Sequence, residues 1–430
     1  MKNTKTLITA FKNGVYADRL TDIYVDSQLL DYQTNRYIKA IEKYEKLFGE
    51  GEVTIFSAPG RSEIGGNHTD HQHGMVLAAS INLDAIAISS PLAEDKVDIV
   101  SGNYPMVTID LKKLDAVKSE EGTTKALIKG VIAGLKDRGY KIGGFKAYIT
   151  SDVLIGAGLS SSAAFETIVG TIISGFYNNM EISPVVIAQV GQYAENVYFG
   201  KPCGLMDQMA CSVGSMVHID FKDPEHPIIE RVECDLEAKG YSLCIVDCKA
   251  SHADLTEDYA MIPIEMKKIA QYFGKEYLRE VDESKFFANI AKLREACGDR
   301  AVMRAIHFFG DNARVEKQVE ALKEDRFVDF LEMVKDSGNS SFKNLQNVYT
   351  NRQVQNQSMS IGLAISETVL GKENGVCRVH GGGFAGTIQA FVKNEFTKTY
   401  KETMENIYGK DACHILKIRK YGGMEVLWVF

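Results

Sequence analysis

Glycines stand beside hydroxyls, carboxylates and a guanidinium in several stretches of this chain, and each combination suggests its own chemistry. Gly156-Ala157-Gly158-Leu159-Ser160-Ser161-Ser162 lies between a run that reads as a strand and an apolar run that reads as a helix. Bare glycines let a backbone approach an anion closely, and the N–H groups at a helix start point at it. The serines add hydroxyl donors and an oxygen suited to a metal. No Gly-Lys-Ser/Thr follows, so this is not a Walker loop, and the glycine spacing is not that of the dinucleotide fingerprint. A turn closed by a serine cap would carry the same letters, and the loop by itself leaves both readings open.

Earlier in the chain, Ala58-Pro-Gly-Arg61 through Gly66-Asn67-His68-Thr69-Asp70-His71 gathers a guanidinium, carboxylates and imidazoles beside glycines, the inventory of a polar ligand site. His68, His71 and His73 with Asp70 also resemble a zinc set, but no further ligand cluster completes it. In Gly204-Leu-Met-Asp207-Gln a carboxylate sits in an apolar setting, either as a helix cap or as a base held for chemistry. His380-Gly381-Gly382-Gly383-Phe384-Ala385-Gly386 precedes a strand. Three glycines in a row cost conformational entropy, so either something needs the backbone bare there or the segment is a loose loop.

The elements that must carry these residues follow from periodicity. Apolar positions predict a helix from Asn35 to Phe48 with Gly49 as its cap, then a strand from Val53 to Phe56 stopped by Pro59-Gly60. Val76 to Ile88 reads as one strand or a pair, Thr123 to Arg138 as a helix, and Phe145 to Ile149 as the strand leading into the glycine-serine loop. Helices are expected to Tyr177 and over Pro184 to Phe199, followed by a strand from Tyr241 to Cys248. Further helices are expected near 257–273, 283–296, 313–335 and 352–370, with closing strands around Thr387–Val392 and Glu425–Phe430. Length alone favours two domains. Their expected extents are an N-terminal extension over 1–25, a first domain over 26–225 and a second over 226–430.

A net charge of −8 speaks against a nucleic-acid partner, which wants a basic face. The cysteines follow no disulfide spacing, and Cys244 and Cys248 read as buried thiols in a reducing compartment. No apolar run suits a signal peptide, and none supplies the ~20 residues of a membrane helix, so a cytosolic protein without a membrane partner is expected.

Together these segments resemble the GHMP kinase superfamily and its galactokinase branch. Pro59 through Asp70 is similar to the galactokinase signature, Gly156 to Ala164 to the phosphate loop, and Gly381 to Gly386 to the C-terminal glycine motif. Ala194-Glu195 through Asp207-Gln resembles the catalytic segment, and Arg304 to Arg314 a helical region of the same family. The resemblance implies a two-domain α/β (α+β) fold, ribosomal-protein-like then ferredoxin-like, with the site between the halves. It implies that Gly156, Ala157, Gly158, Leu159, Ser160, Ser161 and Ser162 bind ATP, and that Ser162 and Glu195 ligate Mg2+. By the same carry-over, Asp207 takes or orients the sugar proton beside Arg61, while Asn67, His68, Asp70, Gly204 and Tyr259 contact the sugar. The partners implied are a sugar and ATP, in a monomer or weak homodimer.

Two departures stand out. Galactokinases carry glutamate where this chain has Asn67, and an amide there would tolerate a C6 carboxylate that a glutamate repels. Galactose is therefore expected first, with galacturonate or another C6- or C2-altered galactose second; a catalytically silent sugar and ATP sensor is the reading of another class. The family also tends to be arginine-rich after Tyr259, where this chain reads Met261-Ile-Pro-Ile-Glu-Met.

Overall fold

The computed structural model describes residues 1–154, 158–249 and 255–427. Its strands are β1 (Lys2–Asn3), β2 (Glu52–Gly65), β3 (Met75–Leu92), β4 (Lys96–Ser101), β5 (Val107–Asp110), β6 (Gly144–Ser151), β7 (Met216–Asp220), β8 (Ile228–Val232), β9 (Tyr241–Asp247), β10 (Gly375–Val379), β11 (Thr387–Lys393), β12 (Cys413–Leu416) and β13 (Met424–Glu425). Its helices are α1 (Thr4–Lys12), α2 (Ala17–Tyr24), α3 (Leu30–Phe48), α4 (Thr124–Asp137), α5 (Ser161–Tyr177), α6 (Pro184–Tyr193), α7 (Met206–Val213), α8 (Thr256–Tyr272), α9 (Glu283–Ala288), α10 (Ile290–Cys297), α11 (Asp299–Lys323), α12 (Phe327–Ser340), α13 (Ser358–Leu370) and α14 (Thr397–Tyr408).

Among the described residues the strands form two sheets. The larger runs β1-β2-β3-β6-β4-β5, with β13 added to β2 and β7-β8 added to β3; the smaller runs β10-β11-β9-β12. Successive side chains of a strand point to opposite faces, and here both faces are covered. Val53, Ile55, Ile86 and Ile88 pack with α1 to α3, while Phe56, Ala85, Ala87 and Ile149 pack with α4 to α6. A further apolar core joins the halves: Leu77, Ile81 and Leu159 from the first meet Leu243, Ile245, Phe330 and Phe391 from the second.

Several elements differ from the sequence expectation. Strand β2 does not stop at Pro59-Gly60 but runs through them, with its register against β3 shifted between Pro59 and Arg61. A proline is tolerated at such an irregularity, where no ladder bond is asked of it. The helix expected over 313–335 is two helices, α11 and α12, broken where Asp325 adopts a left-handed φ of 61°. The region 283–296 is likewise split into α9 and α10. Of the closing strand, Met424–Glu425 pairs with β2, while residues 428–430 lie outside the described residues.

The division between sheets falls between Val232 and Tyr241, somewhat beyond the expected 225/226 boundary, because β8 still pairs with β7. Residues 1–25 are built into the first half rather than appended to it. Leu7, Phe11, Leu20, Ile23 and Tyr24 are buried in its core. The Tyr24 hydroxyl donates to Asp84 at 2.9 Å, a fully buried carboxylate also held by Arg36 at 2.6 Å and Arg419 at 2.8 Å. At ~2 kcal/mol for each buried side chain, the five apolar residues contribute on the order of 10 kcal/mol, comparable with the whole stability of a domain. Deleting residues 1–25 should therefore abolish cooperative unfolding in a thermal melt. A sharp transition within a few degrees of the full chain would contradict this packing account.

Candidate active site

The site is organised around Arg61 and Asp207. Past the register shift in β2, Gly60 faces the phosphate loop so closely that a Cβ there would lie 2.9 Å from the Leu159 carbonyl oxygen. The next residue donates its backbone N–H to that same oxygen at 3.2 Å. Arg61 thus enters the cleft already tied to the loop. Its guanidinium gives Nε to Asp207 Oδ1 at 2.7 Å and Nη1 to the Gly158 carbonyl, and the Ser160 hydroxyl donates to Asp207 Oδ2. Asp207 occupies the first turn of α7 but caps nothing, so the reading as a helix cap does not describe it. The Arg61 side chain is 7% exposed and that of Asp207 35%: the cation is buried, and the carboxylate opens to the cleft. Burial works to raise the Asp207 carboxyl, but the Arg61 charge and the bonds from Arg61 and Ser160 outweigh it and hold it below its usual range.

Gly158 takes a left-handed φ of 65° and Ser160 one of 56°, which bends the loop into the start of α5 at Ser161 and Ser162. Leu159 contributes its backbone here, since its side chain is fully buried in the core shared by the halves. Gly156 and Ala157 lie outside the described residues. Glu195 sits, buried, in a π-helical turn at Ala194–Phe199 that follows α6. Its neighbour Glu166 on α5 receives Gln208 Nε2 at 3.2 Å on one oxygen, while its buried Oε1 has no partner. Burial first, and then the charge of Glu195, push the Glu166 carboxyl well above its ordinary value. A buried carboxylate oxygen lacking a partner beside a second carboxylate is satisfied by a proton or a cation. The donor set therefore fits a hard divalent ion, although among the described residues no three His, Cys, Asp or Glu side chains group as a metal site.

On the other side of the cleft, His68 has a φ of 59°, and its Nε2 donates to the Gly382 carbonyl at 3.0 Å. Burial and the nearby His71 push its pKa down to about 3, so the ring is neutral and Nδ1 is an acceptor. His73 turns elsewhere and stacks on Tyr277 at 3.6 Å between ring centroids. Asp70 lies against Gly204 so tightly that a Cβ on that glycine would be 1.9 Å from Asp70 Oδ2. Tyr259 donates its hydroxyl to the Gly383 carbonyl at 2.6 Å, and its ring comes within 2.8 Å of where a Cβ on Gly382 would stand. The glycine cluster is thus a turn under close approach, not a loose loop. In the departing segment Glu265 pairs with Arg300 at 2.7 Å and Arg304 at 2.9 Å.

Asn67 does not stand with these residues. Its side chain is fully buried, turned from the cleft and bonded to Glu63, Gly381, Ser341 and Asn347, which corrects the expectation that it faces a sugar. Sequence reasoning also missed what supports the loop. His307 Nε2 donates to the Asn67 carbonyl at 2.9 Å, Asp311 accepts its N–H at 2.9 Å, and Asn312 accepts that of Met75 at 2.7 Å. It missed the pair between Glu63 and Arg378 at 2.7 Å as well, both buried. The lone charge of Arg378 inside the apolar strand β10 hinted that a buried partner exists, but nothing local named Glu63 as that partner.

Comparison with known proteins bears on the family and the fold. The galactokinase galactose-binding signature matches residues 42–91, and the GHMP kinases N terminal domain matches residues 126–215. The galactokinase of Glaesserella parasuis serovar 5 is 30% identical over 377 residues, covering 86% of this chain and 93% of its own length. A galactokinase of Actinobacillus pleuropneumoniae is 28% identical over 381 residues, covering 87% of this chain and 94% of its own. In fold, the chain is similar to Lactococcus lactis galactokinase complexed with galactose (TM-score 0.76, 24% identity, 89% of this chain and 98% of that one). It is also similar to Methanococcus jannaschii mevalonate kinase (TM-score 0.59, 17% identity, 86% and 99%).

The geometry makes a prediction about protonation. Followed by carbon NMR, Asp207 should titrate below the ordinary aspartate range, and Arg61→Leu should raise its midpoint by about 1–3 pH units. A midpoint unmoved by that substitution would mean that the guanidinium does not hold the carboxylate ionised.

Proposed function

The chain belongs to the galactokinase family of the GHMP kinases, and from that premise we propose that it transfers the γ-phosphoryl group of ATP to the anomeric hydroxyl of galactose. The observation that carries this reading is the Arg61–Asp207 pair bonded to the phosphate loop at Gly158 and Ser160. The sugar oxygen attacks the γ-phosphorus as the bond to the bridging oxygen of ADP breaks, and the hydroxyl proton passes to Asp207. A carboxylate held below its usual range is a weak base, so it orients the hydroxyl early and accepts the proton late, as a loose phosphoryl transfer allows. Arg61 meets the charge that develops on the transferred group. Ser162 and Glu195 would hold Mg2+, which neutralises phosphate charge when bound. His68 Nδ1 and the Asp70 carboxylate accept sugar hydroxyls, and Gly204 keeps Asp70 in place.

Galacturonate loses the support it drew from position 67. The Asn67 amide is committed inward, and a carboxylate still stands one hydrogen bond away at Glu63. A silent sensor is disfavoured by the catalytic pair and by the serines of the phosphate loop. Eight free cysteines among the described residues support a cytoplasmic location.

A coupled ATPase assay over a sugar panel tests the reading. Galactose should exceed galacturonate in kcat/KM, and Asp207→Asn should remove at least ~100-fold of turnover while sugar binding stays measurable by calorimetry. Intact turnover in that variant would overturn the role of Asp207. Gly204→Ala should displace Asp70 and raise KM for the sugar by ~10-fold or more, as the loss of a charge-assisted hydrogen bond requires. An unchanged KM would remove Asp70 from the sugar site.

A further inference from the structure

Every polar atom of Asn67 is engaged inside the protein. Nδ2 donates to Glu63 Oε1 at 3.0 Å and to the Gly381 carbonyl at 2.7 Å. Oδ1 accepts from Ser341 Oγ at 3.1 Å and Asn347 Nδ2 at 2.9 Å. Its backbone is held by Asp311 and His307. An amide has two donors and two acceptor lone pairs, so this one is saturated. Glu63 is held by Arg378 Nη2 at 2.7 Å, and the same guanidinium donates from Nη1 to the Ile64 carbonyl at 2.9 Å. The acceptors of Asn67 and His68 are neighbours, Gly381 and Gly382. The amide therefore joins the loop carrying His68 and Asp70 to the glycine turn of the other half.

We propose that Glu63 and Asn67 act as one carboxylate–amide positioning pair that seats the sugar loop on the glycine turn, and that position 67 governs activity through this seating rather than by touching the sugar. The proposal rests on the sugar-kinase reading above. It makes a specific demand: the partner of Glu63 must be an amide. Aspartate at 67 has the same shape but sets two carboxylates in contact in a buried place with one adjacent guanidinium, so one of them must take a proton or move. Glu63 is already raised to about 7, by burial and against Arg378, Arg61 and Asn67. The titratable and charged groups facing the pair are Arg378 and Arg61 from the strands and, from α11, Asp311 and His307, whose ring burial favours as neutral.

The test is a double-mutant cycle with Asn67→Asp, Glu63→Gln and the two combined, which exchanges amide and carboxylate without changing volume. Turnover of galactose and galacturonate is read from pH 6 to 8 beside thermal unfolding of the same proteins. Asn67→Asp should lose about 100-fold in galactose kcat/KM at pH 8, and the double variant should recover at least about 10-fold of that. Part of the loss persists in the double variant, because an aspartate cannot donate to Gly381. The defect of Asn67→Asp should shrink toward pH 6, where one carboxyl takes a proton and becomes a donor, and this slope should vanish in the double variant. The galactose-to-galacturonate ratio should stay within about threefold throughout, since the pair does not meet the sugar.

Additive effects in the cycle, or a ratio that moves about tenfold while the unfolding midpoints stay put, would overturn the proposal and return Asn67 to the sugar site. A wild-type chain that phosphorylates neither sugar would instead fail the kinase reading. The unfolding midpoints of the four proteins would then decide the pair: non-additive midpoints, with the double variant recovered, uphold it, and additive ones reject it.

Discussion

A buried guanidinium cannot be left without partners, and at Arg61 that requirement organises the cleft. Its charge is met by Asp207 and by the Gly158 carbonyl, while its own backbone N–H goes to Leu159. One residue thereby ties a strand of the large sheet, the phosphate loop and the start of α7. An uncompensated charge in such a place costs several kcal/mol, so the three segments keep a common geometry. The consequence for chemistry is an Asp207 carboxylate that stays ionised yet opens to the cleft. On the proposed reading its value lies in aiming a hydroxyl, not in basicity, which suits a reaction dominated by position and charge.

The second half of the chain enters the site through a seam rather than through a set of ligands. The halves share one apolar core, and above it runs a buried polar line. Arg378 reaches Glu63 and the Ile64 carbonyl, Gln389 reaches Ser62 and the Glu63 carbonyl, and His380 reaches Ser62. Each of these groups would be expensive to bury alone, and together they fix where the glycine turn stands. That turn in turn supplies the carbonyls that orient His68 and Tyr259. On the proposed reading, elements remote from the reacting atoms therefore set the positions of residues close to them.

How much of this could be read beforehand depended on range. The segments Pro59–Asp70, Gly156–Ala164 and Ala194–Gln208 are short; each by itself left more than one reading open, and only their joint resemblance to one family pointed to a chemistry. Strand and helix periodicity located α3, α4, β6 and β11 to within a few residues. Pro59-Gly60 misled because its rule as a stop is local, whereas a register shift against β3 let the strand continue. The partnership of Glu63 with Arg378 spans 315 residues, and no local pattern announces it. Asn67 misled for the same reason: a residue inside a binding motif was read as a contact, and its direction is settled largely by partners far along the chain, Ser341, Asn347 and Gly381.

That correction bears on what the site can prefer. On the proposed reading, the groups left to face a sugar are the Asp70 and Asp207 carboxylates and the neutral His68, whose bond to Gly382 turns Nδ1 toward acceptance. All three accept hydrogen bonds. Hydroxyls donate as well as accept, so a neutral hexose satisfies such a set, while a C6 carboxylate has no proton to offer and meets two fixed negative charges. Arg61, which acts on Asp207, and Arg304, which acts on His68, are already bonded to carboxylates within the protein. Losing a glutamate at position 67 therefore does not turn the site toward acidic sugars: the residues that remain still ask the substrate for hydrogen-bond donors.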